Sequence, residues 1–194
     1  INAVDNSRLA RALNDELTDL AGDGRFATAV LTTYFAPTNQ LSIVNAGHPR
    51  PLWYSAQRDA WRLLSHDCRD CDDRGPANLP LGVIGGTDYH QFAVTLDPDD
   101  LVLLYTDSLT EAADSAGHML GEQGLLDLVR TLDPTQGHAV GDQLIDAIIR
   151  HRGGQPADDD LTLLTLHHNA SDPPRYGLGE QMRAMAKMLG LIPV

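Results

Sequence analysis

The chain has 194 residues, 42% of them hydrophobic, which is enough for one globular domain with a sizeable core. Its 14 Lys and Arg residues and 27 Asp and Glu residues give a formal net charge of −13, which argues against nucleic acid and anionic membranes as partners. No apolar run reaches transmembrane length and the opening residues lack a signal-peptide pattern, so we expect a cytoplasmic protein without membrane insertion.

The first 65 residues predict a helix followed by two antiparallel hairpins. Four leucines fall on one face of the helix: Leu9, Leu13, Leu17 and Leu20. Ser7 or Asp5 is suited to be its N-cap. The runs "FATAVLTTYF" and "LSIVNAGH" flank the turn "APTNQ", while "PRPLWYS" and "AWRLL" are joined by "AQRD". Each pair is typical of two strands that return on each other.

The rest of the chain predicts three further strands and three helices. Residues 65–80 are polar and indicate a loop, after which "HQFAVTL" and "LVLLYTD" flank the turn signal "DPDD". Apolar spacing predicts helices over 121–132 and 139–151, "LTLLTLHH" is a last strand, and 177–192 is a terminal helix. This order favours an α+β fold, or two sheets with helices outside, over the βαβ alternation of dinucleotide-binding folds.

Acidic residues stand at the ends of two apolar strands. Asp107 closes "LVLLYTD", and three consecutive acids, 158–160, open "LTLLTL". A carboxylate at the end of a buried strand is costly unless something compensates it. If the two strands are neighbours, the acids meet at one edge of a sheet, where Mg²⁺ or Mn²⁺ could bind. The alternative is that Asp107 caps the following turn and that the acid run is a solvated flank.

The segment "HDCRDC" contains both cysteines of the chain, Cys68 and Cys71, with His66 beside them. A single CxxC pair can be half of a zinc site or a redox pair. Because the sequence has no second pair and the segment falls in a predicted loop, we expect two reduced thiols and no structural zinc. A loop disulfide formed on oxidation is the alternative.

The segment "NAGHPRP" is a further candidate. Gly47 is suited to a tight backbone conformation at the end of a strand. His48 could be a metal ligand, a base or a packed histidine, and its neighbours do not decide among the three.

Five segments in chain order together resemble a known family: "ATAVLTTYFAPTNQLSIVNAGHPRPLWY", "LPLGVIGG", "LDPDDLVLLYTDSLTEA", "GEQGLLDLV" and "DDLTLLTL". They are similar to the bacterial stage-II-sporulation-E-like branch of the metal-dependent (type 2C, PPM) serine/threonine protein phosphatases, over residues 26–167. The resemblance implies an αββα sandwich of two antiparallel sheets with flanking helices. It also implies hydrolysis of phosphoserine or phosphothreonine with the help of two Mn²⁺ or Mg²⁺ ions.

The resemblance also implies which residues bind metal. Asp107 matches the metal-binding acid of the family's "TDG" motif, and Asp159 matches the ligand of its "DD-x-T" motif. Asp160 and Thr162 complete the second motif and are expected beside the site, and Asp158 makes a register shift of one residue conceivable. No catalytic residue beyond the metal ligands is implied.

Other positions lie beside the implied site or depart from the family pattern. Gly47 and His48, in the "NAGH" element, are expected to be adjacent to it. Ser108 replaces the glycine of "TDG". The family's first "GD" acid pair and its "D-x-x-G-x-G" motif have no counterpart here, because the "GD" at 22–23 is misplaced for that role. We therefore expect this chain by itself to hold metal weakly.

Two hypotheses follow. The first is an enzyme, a protein serine/threonine phosphatase acting on a phosphorylated regulator such as an anti-anti-sigma factor, with an upstream sensor domain as a further expected partner. The second is a catalytically inactive phosphatase-like domain that binds a partner or senses a signal. In either case we expect residues 1–168 to form an N-terminally incomplete domain of this type, and residues 169–194 a C-terminal extension with a helix.

Overall fold

The computed structural model describes residues 5–20, 24–65, 77–155 and 159–170, together with Gly179. The cysteine pair, the "GD" at 22–23, Asp158 and nearly all of the predicted terminal helix lie outside these ranges. By their contacts the described residues divide into two units: those within 1–47, 66–95 and 171–194 belong to the first, and those within 48–65 and 96–170 belong to the second. The predicted division at residue 168 stays a prediction.

Ten helices and strands follow one another in the described residues: α1 (Asn6–Leu20), β1 (Ala29–Phe35), β2 (Gln40–Ala46), β3 (Leu52–Ser55), β4 (Ala60–Leu63), β5 (Gln91–Thr95), β6 (Leu101–Tyr105), α2 (Gly121–Val129), α3 (Val140–His151) and β7 (Leu163–His167). Each element predicted within these residues is present, with ends that differ by a few residues. Short 3-10 turns cover Ala36–Thr38 and Asp107–Leu109. No helix in this part of the chain is both long and apolar enough to cross a bilayer.

The first unit contains a three-stranded antiparallel sheet in the order β1-β2-β5. β1 and β2 form the first predicted hairpin and pair along their full lengths. Helix α1 contacts both strands. A small core unites α1, β2 and the segment that leads to β5: Ala10, Val44, Ala46, Leu81 and Tyr89.

The buried face of α1 differs from the predicted leucine face. Leu13 and Leu20 are 37% and 79% exposed, whereas Asn6, Ala10 and Asn14 are buried. The shared face of the four leucines is therefore not the most buried face of the helix, and two amide side chains, Asn6 and Asn14, face inward. Of the two candidate N-caps, the helix uses the acid at position 5, whose carboxylate accepts a hydrogen bond from the Arg8 amide at 3.0 Å.

Asn14 is fully buried because hydrogen bonds satisfy its amide group. Its side-chain oxygen accepts from the Gly82 amide at 3.0 Å and from the Tyr89 hydroxyl at 3.1 Å, and its nitrogen donates to the Ile84 carbonyl at 3.0 Å. A buried amide with such partners loses little free energy relative to water. An apolar pattern cannot reveal this face of the helix, because the partners lie about seventy residues away.

The second unit contains a four-stranded antiparallel sheet in the order β4-β3-β6-β7. β3 and β4 are the second predicted hairpin, turned by residues 56–59. β6 is central, and Leu101, Val102 and Leu103 are fully buried. Helix α2 contacts β4 and α3 contacts β7, and their apolar faces complete a core with Leu125 and Leu144 at its centre.

Every pairing between these strands is antiparallel, so the predicted α+β class with two antiparallel sheets is confirmed. β5 and β6, which flank "DPDD", belong to different sheets. The turn signal therefore marks the passage from one sheet to the other, and Asp99 within it takes the left-handed conformation at φ 67°.

Candidate functional site

The end of β6 and the beginning of β7 meet at one edge of the four-stranded sheet. The strands are antiparallel neighbours along their full lengths. The pairing continues by one residue, since the Thr106 amide donates to the Thr162 carbonyl at 3.1 Å. Asp107 follows directly, and Asp159 lies three residues before Thr162. The structure therefore brings the segments that carry the two predicted metal ligands to the same edge.

Asp107 opens the 3-10 turn that follows β6. Its main-chain carbonyl accepts hydrogen bonds from the Glu111 amide and the Thr110 hydroxyl, both at 2.8 Å. The side chain of Thr106, at the N-cap position, forms no capping bond, and within the described residues the exposed Asp107 carboxylate accepts none. The alternative that Asp107 caps the following turn is not supported. The carboxylate lies at the surface, where it can bind a cation from solvent.

Asp159 and Asp160 are both exposed at the approach to β7. One carboxylate oxygen of Asp159 accepts a hydrogen bond from the Asp160 amide at 2.7 Å. This bond orients the carboxylate within its own segment, and among the described residues no hydrogen bond to its second oxygen is found.

Thr106 ties the two acidic segments together. Its hydroxyl oxygen accepts from the Thr162 amide at 3.0 Å and lies 3.4 Å from the Asp160 carbonyl. The Ser108 hydroxyl lies 2.9 Å from the same oxygen. We call these four residues, Thr106, Ser108, Asp160 and Thr162, the Thr106 network. Because Ser108 has a negative φ, serine fits this position without strain and adds a hydrogen bond that glycine could not form.

The segment that carries His48 reaches the same edge from β3. β3 is antiparallel to β6, with Leu52 opposite Leu103, so the residues that precede β3 lie at the end of the sheet where β6 ends. His48 is half-buried. The Tyr105 hydroxyl donates to a main-chain carbonyl of this segment at 2.7 Å, which fixes the segment against the end of β6.

Position 47 requires glycine because of its backbone conformation and its close neighbours. Its φ is +66°, and a Cβ atom there would lie 2.4 Å from Cγ of Pro80. This confirms the prediction of a tight backbone at the end of β2. Gly47 therefore has a structural reason to be glycine, whatever it contributes to the site.

Two ionisable groups beside the edge have shifted pKa values. Burial raises the pKa of Tyr105 far above its ordinary value, so its hydroxyl stays protonated and remains a hydrogen-bond donor. Burial also raises the pKa of Glu122, but hydrogen bonds from the Arg50 side chain and amide outweigh this effect and leave the pKa below its ordinary value. Glu122 is therefore ionised at neutral pH.

The donor set at the edge suits a hard divalent cation. Asp107 and Asp159 offer carboxylate oxygens, which Mg²⁺ and Mn²⁺ prefer, and both side chains are exposed. In the described ranges, no group of three or more His, Cys, Asp or Glu side chains is arranged to hold a metal ion. The ligand roles of these two acids stay a prediction, and the described residues supply the edge and not a full coordination shell.

Sequence reasoning missed the residues that connect this edge. In the sequence, Thr106 looks like an ordinary residue at the end of a strand. Its position in the segment "LVLLYTD" does not indicate that its hydroxyl contacts both acidic segments. Arg50 and Glu122 form an ion pair across 72 residues of sequence. A pattern read along the chain contains no signal for such a contact.

A cleft of about 370 Å³ in the second unit is distinct from this edge. It is lined in part by Tyr54, Asp59 and Arg130. Tyr54 pairs with Leu101 at the beginning of β6, whereas the acids follow the end of that strand. The cleft therefore lies at the opposite edge of the sheet from the acids. Two of its polar side chains bind each other, since the Tyr54 hydroxyl donates to Asp59 at 2.8 Å.

Comparison with known proteins identifies relatives along most of the chain. The family model of stage II sporulation protein E (SpoIIE) matches residues 2–169. Protein IcfG of Synechocystis sp. is 25% identical over 160 residues, which cover 82% of this chain and 23% of that protein. Phosphoserine phosphatase RsbU of Bacillus subtilis is also 25% identical over 160 residues, covering 82% of this chain and 44% of that protein. The chain thus spans less than half the length of these curated relatives.

The fold is also found in a solved structure. The Mn-presoaked phosphatase domain of the cell fate determinant SpoIIE from Bacillus subtilis matches with a TM-score of 0.62 at 16% identity, covering 88% of this chain and 69% of that one. At this identity the likeness shows the fold, which is that of PP2C-type phosphatase domains. Together with the family match over residues 2–169, it shows that the chain belongs to the SpoIIE family, the branch of the PPM phosphatases that its motifs resemble.

Proposed function

We propose that the protein is a metal-dependent phosphatase that hydrolyses phosphoserine or phosphothreonine on a regulatory protein. The shared edge carries the proposal, because β6 and β7 are antiparallel neighbours and the segments of Asp107 and Asp159 flank their paired ends. Family membership supports it, since the relative RsbU is named a phosphoserine phosphatase.

Asp107 and Asp159 are the proposed metal ligands. Both are exposed carboxylates, and Asp159 is oriented by the Asp160 amide. A bound divalent metal would lower the pKa of water and neutralise charge on the phosphate. The likeness to a Mn-presoaked SpoIIE domain favours Mn²⁺, with Mg²⁺ as the other candidate. The family resemblance implies two ions in a complete site.

The other predicted residues would orient the two acids. Thr106 accepts a hydrogen bond from the Thr162 amide, and its hydroxyl also contacts Ser108, so the residues on either side of Asp107 are held to the β7 approach. Such outer contacts set the direction of ligating carboxylates. His48, in the segment that precedes β3, is proposed to lie beside the substrate phosphate or the metal.

The proposed substrate is a phosphorylated regulatory protein. An anti-anti-sigma factor is the example that the family resemblance implies, and the chain's charge of −13 does not favour nucleic acid as an alternative. The identity of the phosphoprotein, an upstream sensor domain and a cytoplasmic location stay predictions.

The test is phosphate release by the full-length protein, as its gene encodes it, from phosphoserine, phosphothreonine and phosphotyrosine peptides. We expect turnover of the first two in Mn²⁺ or Mg²⁺, and background release after EDTA treatment. Turnover that is indifferent to EDTA would contradict metal dependence. The competing hypothesis, an inactive module that binds or senses, predicts no turnover of any peptide together with retained binding of a phosphoprotein.

A further inference from the structure

We propose that Arg50 and Glu122 form a positioning pair that holds the segment of residues 48–51, here called the His48 loop, against the acidic edge. The inference rests on the proposed function, because it assigns the pair a role in the same site. Both residues lie within segments that carry the family resemblance, but the sequence analysis assigned neither of them to the site.

The pair is joined by three hydrogen bonds. The Arg50 amide donates to Oε1 of Glu122 at 3.0 Å, while Nε and Nη2 of Arg50 donate to Oε2 at 2.9 and 2.7 Å. One of the three comes from the main chain, so Glu122 fixes the backbone of the His48 loop as well as a side chain. Bonds between ionised partners in such a fork are short and directional.

A second anchor holds the same residue from the other side. The hydroxyl of Tyr105, a side chain that is 2% exposed, donates to the Arg50 carbonyl at 2.7 Å. Tyr105 lies two residues before Asp107. Both main-chain polar groups of Arg50 are therefore bound, one to the first turn of α2 and the other to the end of β6. The proposed role of these bonds is to hold His48, two residues away, close to Asp107.

Another ion pair at the end of the same helix shows what an ordinary surface contact looks like. Arg130 and Asp127 are three residues apart and share one hydrogen bond at 2.8 Å, with side chains that are 52% and 60% exposed. Pairs of this kind contribute little. The Arg50 and Glu122 side chains are 45% and 32% exposed, and their contact joins a loop to a helix. Arg130 and Asp127 are therefore a matched control.

The experiment compares full-length proteins carrying Arg50→Ala, Arg50→Lys, Glu122→Ala, or the control changes Arg130→Ala and Asp127→Ala. The first readout is kcat in Mn²⁺, and the second is the melting temperature. The third is the broadening that paramagnetic Mn²⁺ causes in the NMR signal of the His48 ring, which reports how close the ring lies to the metal. A purely structural pair would change the melting temperature and leave this broadening alone.

We expect Arg50→Ala and Glu122→Ala to lower kcat about tenfold, in the range of lost outer contacts at metal sites. They should weaken the His48 broadening, and Arg50→Lys should give intermediate values because it cannot restore the fork. The control variants should match the wild type. If Mn²⁺ broadens His48 equally in all variants, the positioning role is wrong and the proposed function stands. If Mn²⁺ neither supports turnover by the wild type nor broadens its His48 signal, both the positioning role and the proposed function are wrong.

Discussion

Asp100 is a buried carboxylate whose surroundings explain it without reference to function. It is fully buried, and its two oxygens accept three hydrogen bonds. The donors are the Ala56 amide at 2.8 Å, the Trp53 indole nitrogen at 3.0 Å and the Asp97 amide at 3.0 Å. Asp100 therefore binds the β3–β4 turn to the turn before β6. It compensates its own burial through hydrogen bonds, whereas Asp107 remains at the surface.

Replacing Asp100 by asparagine should destabilise the protein strongly. In either orientation of the new amide, its NH₂ group would face at least one donor: the Ala56 amide in one orientation, or both Trp53 and Asp97 in the other. We expect the free energy of unfolding to fall by about 3 kcal/mol in urea denaturation, the cost of unsatisfied buried groups beside a lost charge. Asp99→Asn is the control. Asp99 is largely exposed at φ 67°, a conformation that asparagine tolerates, so a change below about 0.5 kcal/mol is expected.

A comparable loss for both variants would show that the three hydrogen bonds do not account for the role of Asp100. A loss confined to Asp100→Asn would assign the effect to the buried site.

Gly47 allows conformational strain to be separated from steric overlap. Gly47→Ala meets both a φ of +66° and Pro80 at 2.4 Å, whereas Gly86→Ala meets a φ of +72° with no atom within 4 Å. We expect the control to cost about 1 kcal/mol, the penalty of the left-handed conformation alone. Gly47→Ala should cost about 2 kcal/mol more, because its neighbours must move. Equal losses in thermal or urea unfolding would contradict the overlap.

At the scale of elements, the pattern of the sequence predicts the strands of the acidic edge well. The apolar run before Asp107 and the apolar run after Asp160 each form one strand, and they pair. The pairing itself does not follow from either run, since it depends on which strands are neighbours in the sheet. Helix α1 shows the opposite case, because its buried Asn14 is compensated by partners that no local pattern reveals.

The hydrogen bonds between Arg50 in the His48 loop and Glu122 in α2 should make the free energy of unfolding depend on pH. The pKa of Glu122 in the folded protein lies below its ordinary value of 4.5. The contribution of ionised Glu122 to the free energy of unfolding is therefore fully present above pH 4.5. It is lost as the pH falls through the lower pKa that Glu122 has in the folded protein. We expect Glu122→Gln to reduce the free energy of unfolding by about 1 kcal/mol at pH 7.

The loss caused by Glu122→Gln should shrink as the pH falls below 4.5, in urea denaturation repeated across acidic buffers. Glu16→Gln, on the exposed face of α1, is the control for removing one negative charge from the surface. A difference between wild type and Glu122→Gln that stays constant or grows in acid would show that Arg50 does not stabilise the ionised form.

For the molecule as a whole, the order of elements predicts the class of fold and both hairpins. The family resemblance predicts which acids belong to the site. Neither predicts the contacts that hold the site together, because Thr106 to Thr162 and Arg50 to Glu122 join positions 56 and 72 residues apart. These contacts become visible only when the sheet order is known.

Asp107 and Asp159 are proposed to hold a divalent metal that phosphate hydrolysis requires. Within these 194 residues no acid pair matches the family's first "GD" motif in its place. We therefore expect the 194-residue chain to bind Mn²⁺ weakly and to hydrolyse an aryl phosphate barely above background. The full-length protein, as its gene encodes it, should show Mn²⁺-dependent turnover if that protein supplies the missing acid.

The most direct measurement is phosphate release against Mn²⁺ concentration for the full-length protein and three variants: Asp107→Asn, Asp159→Asn and the control Asp127→Asn. Asparagine keeps the shape of each side chain and removes the charge that binds the cation. We expect the first two variants to lose Mn²⁺-dependent turnover by at least about a hundredfold, the upper limit for losing an outer contact and thus a lower limit for losing a ligand, while the control retains it. A full-length enzyme whose turnover is unchanged by Asp107→Asn would show that Asp107 does not hold a metal that the reaction requires.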